Sequence, residues 1–330
     1  MTNFHGAQQT LAIAGAFCFC AAQVCAQGYP SKVVRMVVPS TAGSGGDVIV
    51  RIITPGLSEI FRQQVIVDNR AGAAQNIGAE IVARAPADGY TLLNVSSTLT
   101  ANVSLYRNLP YDLVRDFAPV TQIALSPQVV VVHPSLPVKT VGELVKLAKS
   151  KPGQIIYSSG GFGGATFVPG EMFNSIAGVE LLHVPYKGGG PAMIAILSGE
   201  AQVYFAPVVT ALPYIKDNRL RAIAVTSSRR LPQLAELPTV SETGIKGYDF
   251  TNWFGLMVPA KTPTETIVTI QSAVASVLKR PAVVKRLGEF GCVPIGNQPE
   301  EFAFAIKTDI VNLGDLFKRV GIQPVAAPTN

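Results

Sequence analysis

Strands alternating with helices predict an α/β protein of two domains, each built on a mainly parallel sheet. Three observations carry this. Continuous apolar runs, Val33–Val38 and the four valines Val129–Val132, read as strands covered on both faces. Helical stretches separate such runs, and 330 residues at roughly 150 per domain give about two domains. One order of parts (strand, small hydroxyl residues, glycines, helix) occurs twice, at Val37–Asp47 and Ile155–Thr166, about 118 residues apart. One copy falls in each α/β unit.

The elements follow in chain order. Leu11–Ala22 is a short apolar run, and Val24-Cys25-Ala26 fits a small-x-small cleavage site, so residues 1–26 read as an export signal cleaved after about Ala26. No Lys or Arg precedes Lys32, against the usual basic start of such signals. The strand Val33–Val38 ends at Pro39, and a Gly-rich turn leads into a helix from Asp47. Pro55-Gly56 fall about two turns in and should kink or end that helix. Val65–Val67 and Thr91–Val95 read as strands, with a helix at Ile77–Ala85 between them. After Val129–Val132, Thr140-Val141-Gly142-Glu143 is a capping box opening a helix to Ser150. Ile155–Tyr157, Glu180–Val184, Ala201–Phe205 and Leu220–Val225 are strands among helical stretches. Pro169 puts the start of the second Gly-turn helix near Thr166–Val168, and Pro191 marks another start. Phe250–Val258 and Gly291–Ile295 are strand-like. Thr262-Pro263-Thr264-Glu265 is a second capping box, and Asn297-Gln298-Pro299-Glu300 opens the last long helix.

Composition excludes several classes. The chain is 48% apolar and 15% charged, which excludes a mainly disordered protein. Beyond the N-terminal region no apolar run approaches about 18 residues, which excludes a polytopic membrane protein. Lys+Arg 27 against Asp+Glu 21 gives a net charge of +6, spread without a basic block, so no nucleic-acid surface is expected. The longest basic cluster, Arg229-Arg230, reads as a solvated turn. A mild positive field suits an anionic small ligand. Cys18, Cys20 and Cys25 lie in the leader; Cys292 is left alone and reads as an inert core thiol. The mature chain has two histidines, His133 and His183, with no metal-ligand cluster and no Gly-x-Ser-x-Gly elbow. No metal, cofactor or catalytic set is therefore expected.

The Gly-rich turns carry the chemistry that remains. A strand running through glycines into a helix leaves backbone N–H groups pointing outward at the positive end of the helix dipole. Such a place binds carboxylate or phosphate. A third candidate is Tyr186-Lys187-Gly188-Gly189-Gly190-Pro191, where Lys187 could meet an anion. Neither a P-loop lysine nor a good dinucleotide fingerprint is present, since Asp47 falls where that fingerprint needs a small residue. Asp47 reads mainly as a cap for its own helix. Two matching turns in two domains point to a ligand held in the cleft between them.

The mature chain resembles the Bug-type extracytoplasmic solute receptors, the binding proteins of tripartite tricarboxylate transporters. The resemblance rests on Val38-Pro39 with Gly43 to Asp47, Val67-Asp68-Asn69-Arg70-Ala71-Gly72 with Asn76-Ile77-Gly78-Ala79, and Asp88-Gly89-Tyr90-Thr91-Leu92-Leu93. It continues through Leu109-Pro110-Tyr111-Asp112, Asp116-Phe117-Ala118-Pro119-Val120, His183-Val184-Pro185-Tyr186-Lys187-Gly188, Leu220–Thr226, Trp253-Phe254-Gly255 and Pro259-Ala260. It implies a two-domain type II periplasmic binding protein, a flytrap with a two-strand hinge near Gln122–Leu125 and Ala224–Thr226. Domain one would be residues 27–123 plus 226–330, and domain two residues 124–225. It implies a periplasmic, monomeric receptor, not an enzyme, that takes a small carboxylate (a di- or tricarboxylate or an aromatic carboxylate) and delivers it to a membrane permease. Carried over, the ligand residues are Ser40, Thr41, Gly43, Gly45 and Asp47 on one side, with Ser96, Ser97 and Thr98 after a domain-one strand. Facing them are Ser158, Ser159, Gly163, Gly164, Thr166, Phe167, Ala206 and Pro207.

This chain departs from the family at some of these positions. Ser40 replaces a frequent aromatic, Phe167 a frequent His, and Ala206-Pro207 stand where an Asp commonly follows Phe205. The last change removes a partner for a ligand amine. Two rival readings are a ligand-sensing partner of a membrane kinase and an exported enzyme, for which only Asp47 offers an acid or base.

Overall fold

The computed structural model describes residues 28–319 and 321–327. The export-signal reading, with its three cysteines, lies outside these residues. In chain order the main elements are β1 (Val34–Val38), α1 (Gly45–Phe61), β2 (Val65–Asn69), α2 (Asn76–Ala83), β3 (Thr91–Ser96), α3 (Ser97–Leu105), β4 (Tyr106–Arg107) and β5 (Phe117–Val132). Then come α4 (Val141–Ser150), β6 (Ile156–Ser159), α5 (Val168–Ala177), β7 (Leu182–Pro185), α6 (Gly189–Leu197), β8 (Val203–Pro207), α7 (Val208–Lys216) and β9 (Arg221–Val225). The chain closes with β10 (Thr251–Pro259), α8 (Thr264–Leu278), α9 (Pro281–Glu289), β11 (Val293–Pro294), α10 (Pro299–Arg319) and β12 (Val325–Ala326), which pairs with β4.

Two sheets share the 16-residue strand β5. In the first the order is β2-β1-β3-β10-β5, with β1, β2 and β3 parallel and β10 antiparallel to both neighbours. In the second, β5 carries β8 and β9 antiparallel to it, and β6 lies parallel to β8 and β7. The first half of β5, to Pro127, pairs with β10; from Gln128 it pairs with β8 and β9. The strand thus passes from one lobe to the other at Pro127–Gln128.

Helices cover both faces of each sheet, which explains the uninterrupted valines. Val130 and Val132 pack with Leu144, Phe173 and Phe205, whereas Val129 and Val131 pack with Met193, Ile196 and Ala211. In the first sheet Val34, Met36 and Val38 meet α1 and α8, while Val37 meets α2. Helix α1 turns Ile49, Val50, Ile53, Leu57 and Phe61 inward at helical spacing. Burying each such side chain contributes roughly 1.5–3 kcal/mol.

Several local expectations are met. The Thr140 hydroxyl accepts the Glu143 N–H at 3.1 Å and opens α4. Cys292 is 3% exposed, and burial pushes its thiol up to about 11, the state of an unreactive core thiol. Others need correction. Helix α1 runs unbroken through Pro55 to Phe61; Pro55 is exposed, and Gly56 lets α1 approach Val277 of α8, where a β-carbon would sit 3.0 Å away. The second capping box does not form. The Thr262 hydroxyl donates to the Pro259 carbonyl instead, and α8 begins after Pro263. The strand expected over Gly291–Ile295 is reduced to β11.

The chain keeps contact with the second lobe after the expected return border at 225/226. Val240, Ile245, Tyr248 and Phe250 pack into the cluster around Tyr157 and Phe173, and the Tyr248 hydroxyl donates to the Pro169 carbonyl at 2.9 Å. Thr226 is tied to both Gln128 and Phe250 through its backbone and hydroxyl. Segment 226–250 thus packs on the second lobe through Val240, Ile245, Tyr248 and Phe250.

Candidate functional site

At the carboxyl end of β1 the chain turns through Ser40–Ser44 into α1. Ser44 caps the helix, its hydroxyl accepting the Asp47 N–H at 3.4 Å. Gly43 adopts φ +79°, which L side chains rarely reach. Asp47 is 3% exposed and accepts from the Gly43 N–H at 2.9 Å, Arg51 Nε at 3.0 Å and Asn69 Nδ2 at 3.0 Å. Burial by itself would raise its pKa; the bonds from Arg51, Gly43 and Asn69 outweigh burial and hold the carboxyl below its ordinary value. Gly45 and Gly46 lie over the ring of Phe254, and a β-carbon on Gly46 would meet Asn94 Oδ1 at 2.7 Å. Both glycines are buried, and among the described residues neither N–H has a hydrogen-bond partner. Two unpaired donors at a helix N-terminus are the kind of arrangement that suits an anion.

The second lobe answers with the β6–α5 turn. Ser159 is fully buried, and its hydroxyl lies 2.6 Å from His183 Nε2 and accepts the Gly161 N–H at 3.1 Å. The Gly160 N–H donates to the Thr166 hydroxyl at 2.8 Å. His183 sits between the rings of Tyr157 and Phe167, at centroid distances of 4.9 and 4.7 Å. Burial depresses its imidazole to about 4, so it is neutral at physiological pH.

The two turns share one boundary. The Ala165 N–H donates to the Thr98 hydroxyl at 3.1 Å, and the Tyr106 hydroxyl donates to the Phe162 carbonyl at 3.2 Å. A β-carbon on Gly188 would lie 3.6 Å from the Thr41 hydroxyl, and one on Gly45 would lie 3.6 Å from Val209. Gly160 in turn abuts the Gly188-Gly189 peptide. The starts of α1, α3, α6 and α7 thus gather around the turns 40–47 and 158–166. Thr41–Gly43, Gly160–Phe162, Gly164 and Gly188–Gly190 are among the accessible parts. Two surface depressions, of about 410 and 570 Å³, lie elsewhere, one along Leu109–Arg115 and the other between α7 and α9.

Thr41, Gly43, Gly45, Thr98, Gly163 and Gly164 come together at this boundary. Other expected residues stand behind it. Ser40 pairs with Ser44, Ser96 with Gln75, Ser97 with Asn252 and Ser158 with the Ala192 carbonyl. Thr166 holds Gly160, and Asp47 holds Gly43 and Arg51. Phe167 is 3% exposed and packs on Phe162 and His183. Ala206 is buried in the β8–β5 ladder, and Pro207 ends β8 just before α7.

Sequence reasoning did not single out Asn102 and Gln128, both fully buried. Gln128 Nε2 donates to the Ala165 carbonyl at 2.7 Å. Asn102 Nδ2 donates to the Ala74 carbonyl at 2.7 Å and to Asn76 Oδ1 at 2.9 Å, so its oxygen is turned toward Gly163. Among the described residues, the amide oxygens of both are without partners. A glutamine inside an apolar strand is the one signal that could have found Gln128. Also unread was a left-handed turn in which Ala73, Ala74 and Gln75 all have positive φ (46°, 51° and 76°). Left-handed backbone costs non-glycine residues roughly 1–2 kcal/mol each.

The family model described as "Tripartite tricarboxylate transporter family receptor" matches residues 49–322. A protein of R. palustris solved with adipate has a TM-score of 0.87 to this chain at 34% identity, covering 90% of this chain and 100% of that one. The periplasmic binding protein BugD has a TM-score of 0.86 at 30% identity, with coverage of 90% and 100%. MatC from Rhodopseudomonas palustris, solved with bound malate, has a TM-score of 0.82 at 27% identity, with coverage of 87% and 99%. The fold and these likenesses define a solute-binding receptor of the periplasmic binding protein class. The chain belongs to the tripartite tricarboxylate transporter receptor family.

Proposed function

We propose that this protein captures a carboxylate-bearing small molecule between its lobes, in the periplasm, and delivers it to a permease of the tripartite tricarboxylate type. The observation that carries the reading is the pair of buried N–H groups of Gly45 and Gly46, without partners among the described residues, at the start of α1 beside the boundary where α6 and α7 of the other lobe begin. A carboxylate there satisfies both donors and sits at the positive end of the α1 dipole. Adipate and malate in two relatives support a dicarboxylate over an aromatic acid.

The same geometry supplies a mechanism. Each lobe holds part of the cradle, so only the closed form completes it. A ligand then shifts the open–closed population by its differential affinity, about 5.5 kcal/mol for a full switch from 1:99 to 99:1. Conversion of the ligand is not part of the reading, because the carboxylate of Asp47 is taken up by Arg51, Asn69 and Gly43.

Thermal melts and calorimetry with adipate, malate and a neutral sugar test the reading. Dicarboxylates should raise the melting temperature and bind at a 1:1 ratio, and the sugar should do neither. A sugar that binds while every acid fails would overturn it.

A further inference from the structure

The segment between β2 and α2 is the most strained stretch of the first lobe. Gly72 (φ +132°) is followed by three non-glycine residues in the left-handed region, ending at Gln75 with φ +76° and ψ −7°. Such backbone persists where its surroundings fix it, and it gathers at ligand sites. Here the surroundings are the domain boundary. The Ala74 carbonyl is held by Asn102, whose amide oxygen faces Gly163 of the second lobe, and Ala74 packs on the cluster that holds Phe162 and Phe167.

The Gln75 side chain is fixed too. Its Oε1 accepts from the Ser96 hydroxyl at 3.0 Å. That hydroxyl accepts the Thr98 N–H as the cap of α3, which leaves its proton for Gln75 and sets the orientation of the amide. The Nε2 group of Gln75 is left without a partner among the described residues, on a side chain that is partly exposed.

Its position relative to α1 gives it a use. β1 and β3 are parallel neighbours, so the α1 turn and Ser96 lie at the same carboxyl edge of the sheet. Helix α1 covers one face of that sheet and α2 the other. Gln75, at the start of α2, therefore reaches the edge from the face opposite the Gly45 and Gly46 donors.

We propose that Gln75 is a specificity-determining residue whose amide N–H donates to the second oxygen-bearing end of a dicarboxylate gripped at its first end by α1. The inference rests on the cleft reading given under Proposed function. A neutral donor at that place selects diacids over monoacids of equal length, and the left-handed backbone is what aims it.

Calorimetry with succinate, glutarate, adipate and suberate, each paired with its monocarboxylate, tests this in the wild-type protein, Gln75→Glu and Gln75→Gly. Gln75→Glu keeps the volume and the acceptor for Ser96 but presents a negative charge. It should weaken the best diacid at least tenfold and leave the matching monoacid nearly unchanged. Gln75→Gly should reduce the diacid preference while raising the melting temperature, since glycine adopts this backbone freely. Equal diacid preference in wild type and Gln75→Glu overturns the assignment of Gln75 and leaves the cleft reading standing. If no acid binds the wild-type protein, the cleft reading falls and the inference falls with it.

Discussion

Single residues divide into those that offer a bond and those that hold another residue in place. Gly45 offers one. Gly45→Pro removes the N–H at the first helical position, where proline suits the helix, and a β-carbon there makes only ordinary contacts at 3.4 Å or more. Carboxylate binding should be lost while the melting temperature stays within a few degrees, as calorimetry and a thermal melt will show. His183 holds another residue, orienting Ser159 as a neutral acceptor or donor. Its pKa is about 4 when folded against an ordinary 6.5. The unfolded chain therefore takes up a proton first, and the stability His183 contributes is complete above pH 6.5 and lost as pH falls toward 4. In His183→Phe, the loss of stability measured by urea unfolding between pH 6.5 and 4 should be smaller than in the wild type.

Among the elements, α1 shows how packing overrides a local signal. Pro55 removes one backbone donor from the helix interior, yet Ile53, Leu57 and Phe61 continue the buried stripe beyond it. The stripe outweighs the break because Pro55 itself faces solvent. Pro55→Ala should therefore stabilise the protein, by about 1–3 kcal/mol in chemical denaturation, with no change in ligand affinity. The strands were legible from sequence because sheets covered on both faces demand continuous apolar runs. Helix α3 was not. Its Ser97-Thr98-Leu99-Thr100-Ala101-Asn102 run is polar and β-branched, yet every one of these residues is buried, so no amphipathic stripe exists to be read. The Thr100 hydroxyl bonds the Ser97 carbonyl of its own helix and also Asp309 of α10, a contact 209 residues away. The two Gly-rich turns were legible for a different reason, since backbone conformation there depends on glycine itself. Ser40, Ser96, Ser97 and Ser158 each bond within the protein, a role that sequence does not distinguish from ligand binding, since a hydroxyl that binds a ligand and one that braces a turn look alike there.

At the scale of the whole molecule the lobes meet through a shared apolar cluster, in which Leu105 and Leu316 join Tyr157 and Phe167, and through a set of hydrogen bonds. Thr98 supplies one of the hydrogen bonds that join the lobes, to Ala165. Thr98→Val keeps the shape but leaves that N–H unpaired only when the lobes are together, a cost of about 1–3 kcal/mol. Ligand affinity should fall about tenfold in calorimetry, because the competent state is less populated. The two-lobe plan could be read from the repeated turn, but the packing of 226–250 on the second lobe could not, since its few anchors (Val240, Ile245, Tyr248 and Phe250) are spaced without period. The central claim is that donors from both lobes close on one carboxylate. Glycine-selective ¹⁵N spectra recorded during an adipate titration test it most directly. The account predicts saturable shifts at Gly45 and Gly46 together with glycines of the 160–164 or 188–190 turns, all at one affinity. Shifts confined to one lobe, or absent from Gly45 and Gly46 while adipate binds, would contradict it.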